Sequence, residues 1–73
     1  MPLIMVKPGK KVVLREIAWG QKLRKKLQDM GLTPGVRFDI ISTTSNGPVI
    51  IDIRGTRLAL GHGILSKIMV EEL

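Results

Sequence analysis

The stretch Gly20–Gly35, "GQKLRKKLQDMGLTPG", contains the sharpest change of pattern in this 73-residue chain. Leu23, Leu27 and Met30 recur at helical spacing, while Lys22, Lys25, Lys26 and Asp29 fall away from that stripe. The reading is one short helix over about residues 20–30, with the start at Gly20 or Gln21 poorly signalled. Its end is well signalled. With Met30 as the cap, Gly31 takes the next position, where a left-handed backbone is cheap for glycine, and Leu32 is placed to touch Leu27. Pro34-Gly35 then has the residue order of a type II turn, with Pro34 fixing φ and Gly35 accepting a positive one.

On either side of this helix the period is two. Upstream, "KVVLREIAW" alternates Val13, Arg15 and Ile17 against Val12, Leu14 and Glu16. Before it, "MPLIMVKPGK" reads as a lead-in ending in a turn at Pro8-Gly9. Downstream, "VRFDIISTT" sets Val36, Phe38 and Ile40 against Arg37 and Asp39. Asn46-Gly47 is a hairpin signal, and "PVIIDIR" returns with Val49, Ile51 and Ile53 on one face. Gly55-Thr56 reads as another tight turn, into "RLAL". "GHGILSK" breaks that strand and makes a helical turn near residues 62–66, and "IMVEEL" is a last short strand. Five short strands and one helix in a single domain, residues 1–73, point to a mainly β, strongly bent barrel, since a flat sheet of this size would leave its edges open.

Composition limits what such a domain can do. A domain this small exposes much of its surface even when folded. The chain has no cysteine and one histidine, so neither disulfides nor a cysteine-based metal site can staple it. The apolar run at the N-terminus is too short for a signal peptide, and no segment approaches the roughly 20 apolar residues that span a bilayer. These features suit a cytoplasmic protein with no direct membrane insertion. Net charge is +6, and residues 7–26 hold eight of the twelve Lys and Arg with Glu16 as their sole acid. That balance suits an acidic partner.

The candidate site is the helix face carrying Lys22, Arg24, Lys25 and Lys26, with Trp19 beside it. That face reads either as the ordinary solvated side of an amphipathic helix or as a docking surface, and Trp19 either as a lid on the core or as part of that surface. One helix lacks the second helix of a helix-turn-helix, and two aromatics make a poor platform for bases, so nucleic acid is not the expected partner. The helix is also short for a membrane-surface element, and its apolar stripe is needed by the core. His62 is the candidate metal ligand, but a zinc-type site needs about three or four N, S or O donors, and only scattered carboxylates and thioethers accompany it. No cofactor is expected beyond the bare option of a transition metal there. The serines, His62 and the six acids form no recognisable nucleophile–base set, so no catalytic residue is assigned and the chain is not read as an enzyme.

Taken in order, Leu23, Leu27, Gly31, Leu32, Pro34 and Gly35, followed by "RLALG" at Arg57–Gly61 and "KIMV" at Lys67–Val70, resemble the FeoA family of small ferrous-iron-transport accessory proteins. The resemblance runs over nearly the whole chain. It implies an SH3-like five-stranded barrel, a cytoplasmic location and a partner in the cytoplasmic region of the ferrous iron transporter, which such proteins are thought to bind and influence without catalysis. The same barrel resembles the C-terminal domain of some metal-dependent repressors. The alternative reading is accordingly a nucleic-acid-binding or regulator-type module that uses the basic helix face. Self-association stays open.

Overall fold

The structure is a computed structural model and describes residues 1–18, 20–45 and 47–73. Trp19 and Asn46, both singled out above, lie outside the described residues. The strands are β1 (Lys11–Ile17), β2 (Arg37–Ser42), β3 (Val49–Ile53), β4 (Thr56–Leu60) and β5 (Ile68–Glu72), and the helix is α1 (Gln21–Asp29). Short 3-10 segments cover Leu3–Met5 and His62–Lys67. The strands form one antiparallel sheet in the order β4-β3-β2-β1-β5, the mainly β architecture the sequence implies. β4 and β5 are the two ends of this ladder, and the His62–Lys67 segment carries the chain from one to the other.

Two bulges bend the sheet. In β1 against β5, Leu14 faces Val70 and Glu16 faces Met69, so Arg15 is the extra residue; in β2 against β3, Ile41 is extra between the Ile40–Ile51 and Ser42–Ile50 pairs. An extra residue kinks its strand and increases the local twist, which lets a five-stranded sheet of this size curl round one core. It also resets which side chains point inward. The strict alternation expected for β1 fails beyond Leu14 for this reason, with Arg15 and Glu16 both exposed and Ile17 buried again. Val13 is buried as well as Val12 and Leu14, but stands outside the core cluster. Strands β2 and β3 keep their expected inward sets, with Phe38 and Ile40 buried on one and Val49, Ile51 and Ile53 on the other.

The core is a single cluster of aliphatic side chains and Phe38, with no buried polar or charged residue among those described. Leu3 and Val6 belong to it, so the N-terminal segment is a packed part of the fold and more than a lead-in. It is tied down by hydrogen bonds exchanged between Met1 and Val70, and by the Pro2–Met69 bridge. The Pro8-Gly9 turn forms as read, with Gly9 at φ 86° and its amide donating to the Ile40 carbonyl at 2.8 Å.

The helix stop is as expected. Gly31 has φ 100°, its amide donates to Gln28 O at 3.0 Å, and the Leu32 amide donates to Leu27 O at 2.9 Å. These are the two bonds of a Schellman motif, and Leu27 and Leu32 are both buried. Met30, counted on the apolar stripe, is instead the exposed cap, because the chain leaves the helical path there. Leu32 takes its place in the core. Val36 N–H then closes the Pro34-Gly35 turn on Thr33 O at 3.0 Å, with Gly35 at φ 88°.

The turn between β3 and β4 differs from its expected position. Its two central residues are Arg54 and Gly55, at φ 52° and 87°, and Thr56 already pairs with Ile53 as the first residue of β4. Gly47 does not sit at positive φ, and a Cβ there would meet the Thr44 hydroxyl and displace it.

Candidate docking surface

α1 lies on the barrel through two leucines. Leu27 is buried and Leu23 packs half-buried against the core, which leaves Lys22, Arg24, Lys25 and Lys26 exposed on the remaining faces. The local reason is Gly20. It caps the helix N-terminus at φ 67°, a conformation that favours glycine, and it supplies no side-chain hydrogen bond. The first turn also contains no acid. Its unbonded N–H groups carry the positive end of the helix dipole, and Lys22 and Arg24 add to that positive charge rather than cancel it. Lys26, in the last turn, sits where the dipole favours a cation.

The ion pairs among the described residues are Lys11–Asp39, at 3.9 Å, and Arg15–Glu71, at 2.8 Å. None involves α1. Its four cations therefore stand without a carboxylate partner within ion-pair distance among the described residues, spread round the exposed sides of a helix whose own dipole reinforces their field at its N-terminal end. Such a surface attracts anionic partners and speeds their encounter more than it tightens the final complex.

The chain matches the FeoA domain family over residues 1–72. It belongs to that family. It is 38% identical over 71 residues to a candidate Fe(2+) transport protein A from Methanocaldococcus jannaschii, an alignment covering 97% of this chain and 85% of that protein. Among solved structures, the crystal structure of an iron uptake regulatory protein, FeoA, superposes with a TM-score of 0.92 at 38% identity, over 100% of this chain and 97% of the other. The manganese regulator SloR gives a TM-score of 0.88 at 19% identity, covering 100% of this chain and 34% of SloR. That likeness shows a shared fold. The SH3-like barrel of FeoA proteins is thus the fold of this chain.

The other site expectations sort unevenly against the geometry. His62 opens the second 3-10 segment as an exposed residue. Among the described residues, no group of three or more His, Asp or Glu side chains is placed to hold a metal ion. Glu71, one of the scattered carboxylates, is engaged by Arg15 across β1 and β5. That hydrogen bond, and then the charge of the guanidinium, lowers the Glu71 pKa below the ordinary glutamate range. A carboxylate with a depressed folded-state pKa contributes stability above its unfolded pKa and loses it as pH falls through the folded value. The pair is more than half exposed, so the effect on stability is small. The titration itself is measurable: the Glu71 carboxyl carbon followed by NMR titrates low in the parent and returns to the ordinary range in Arg15→Gln.

Sequence reasoning passed over one feature. Arg37 and Arg54 line a common cleft on the outer face of the sheet. Alternation alone puts Arg37 outward, but pairing it with Arg54 requires the β2–β3 register and the true position of the second turn.

No helix among the described residues is long and apolar enough to cross a membrane.

Proposed function

We propose that this chain is a non-catalytic cytoplasmic accessory protein of ferrous iron transport. It docks on the cytoplasmic region of the iron transporter through the exposed cations of α1 and modulates transport by that contact. The observation that carries the reading is a FeoA-family barrel whose strongest exposed charge, Lys22, Arg24, Lys25 and Lys26, has no ion-pair partner among the described residues of its own fold. The name of the related Fe(2+) transport protein A supports the pathway. The protein works as a binding module, without a resident metal or cofactor and without a reactive group of its own.

Titrating the protein with the purified cytoplasmic region of its transporter gives saturable binding at low ionic strength. That binding weakens as salt rises, since exposed charges are screened beyond a Debye length of about 10 Å at 0.1 M. No binding at low salt overturns the docking reading. Duplex and single-stranded DNA are run as a parallel arm. Sub-micromolar DNA affinity at physiological salt, with a steep salt slope, replaces the reading with a nucleic-acid module.

A further inference from the structure

Away from α1, five charged side chains line a solvent-open cleft of about 380 Å³ on the outer face of the sheet. The register builds it. Lys11 on β1, Asp39 on β2, Asp52 on β3 and Arg57 on β4 stand in one row across the strands, and Arg37 and Arg54 lie one step along the same face. Both carboxylates that line the cleft are already engaged. Lys11 Nζ lies 3.9 Å from Asp39 Oδ1, and Asp52 Oδ1 accepts the Gly55 N–H at 2.9 Å. Arg37 and Arg54 have no carboxylate within ion-pair distance among the described residues.

Two features of Arg54 call for a reason. It lines the same cleft as Arg37, and like charges gathered on one face of a sheet repel unless a counter-charge lies between them. Its backbone is the one non-glycine among the described residues at positive φ, 52°. A two-residue turn with both φ values positive favours Asn-Gly or Gly-Gly, so arginine at the first position carries a backbone cost that Asn or Gly would avoid. Strain of this kind is concentrated at functional sites.

We propose that the cleft binds a single carboxylate group, held in the fork of the Arg37 and Arg54 guanidiniums with Lys11 at its edge. A planar guanidinium matches a carboxylate through paired N–H donors. Charge selects the ligand class. Lys11, Arg37 and Arg54 stand against Asp39 and Asp52 in the lining, with Arg57 at the end of the same row, so the cleft carries a net positive charge that an anion offsets. A phosphate dianion would bring two negative charges against Asp39 and Asp52 where a carboxylate brings one. The ligand is either a free small carboxylate or the side chain of an Asp or Glu on a partner, and the site shares no residue with the α1 face. Loss of one proposal therefore leaves the other standing.

The test is an NMR titration of the full chain with sodium acetate, balanced with sodium chloride at constant ionic strength, reading the Arg Nε–Hε and backbone amide signals. Saturable shifts are expected at Arg37, Arg54 and Gly55, with the α1 amides unmoved. Arg54→Asn and Arg37→Gln each weaken binding about tenfold, the effect of losing a charge-assisted pair. Arg54→Asn also keeps the turn, so its thermal midpoint equals or exceeds the parent's, and weak binding cannot be laid to unfolding. A capped peptide with one Glu distinguishes the source: affinity tenfold above acetate assigns a partner side chain, and equal affinity assigns a free small carboxylate, either result supporting the site. Non-saturating shifts, equal shifts along α1, or acetate binding unchanged in Arg54→Asn overturn the proposal. Inorganic phosphate binding more tightly than acetate overturns the single-charge assignment.

Discussion

Leu32→Ala unfolds a large part of the population at room temperature, whereas Gly31→Ala leaves the protein folded with a lower midpoint. Leu32 is fully buried, at 0% exposure, directly after the helix stop, and its amide is fixed to Leu27 O. Removing its side chain leaves a cavity that the rolled sheet cannot easily close, at a cost of about 2–5 kcal/mol. A single small core without disulfide or metal rarely supplies more than about 3–5 kcal/mol in all. The loss is therefore comparable to the whole stability. Gly31 is different. A Cβ there meets its nearest neighbour, Ile53 Cγ2, at 4.0 Å, so no clash arises and only the backbone at φ 100° resists. That resistance is about 1–2 kcal/mol, and each kcal/mol lowers the midpoint of a domain this size by roughly 4–8 °C. Thermal and urea unfolding followed by circular dichroism compare the two. Equal losses would mean that the glycine, and not the leucine behind it, anchors α1 to the barrel.

The contrast explains which parts of the fold were legible beforehand. The stop at Gly31, the turns at Pro8-Gly9 and Pro34-Gly35, and the inward faces of β2 and β3 depend on residues close in sequence, and they stand where they were expected. The features misread depend on pairing at a distance. The bulge at Arg15 exists because β1 must match β5, and it moves Leu14 and Ile17 to the same side. Met30 looks apolar on a helical wheel, but the wheel ends one residue earlier. The Arg54-Gly55 turn lacks the Asn or Asp that usually marks a two-residue hairpin, so the neighbouring Gly55-Thr56 was the natural reading. Of the candidate site, the cations of α1 were legible as a run of letters. Their lack of partners was not, because the nearest counter-charges could be named only once the strands were assembled.

The helix end also makes the docking proposal separable from stability. Lys22→Glu combined with Arg24→Glu should abolish most of the transporter association while leaving the fold as stable as the parent, or more so. Gly20 gives the N-terminus no side-chain cap and the first turn has no acid, so two carboxylates there meet the positive end of the dipole instead of adding to it. Each such interaction is worth about 0.3–1 kcal/mol. The Lys22→Glu change also places a carboxylate four residues before Lys26, the favourable order for an ion pair on a helix, while Lys26 keeps its place in the last turn. The same two changes take the cationic face from four positive charges to none net. Electrostatic steering raises association rates by about 10–10³, so the on-rate at low salt falls by at least about tenfold. Near 1 M salt, where the Debye length is about 3 Å, the variant and the parent converge. Stopped-flow association across a salt series, beside thermal unfolding, reads both quantities on one variant. An unchanged on-rate in a stable variant removes α1 as the docking face, and a destabilised variant shows that the lysine and arginine of the first turn were needed by the fold itself.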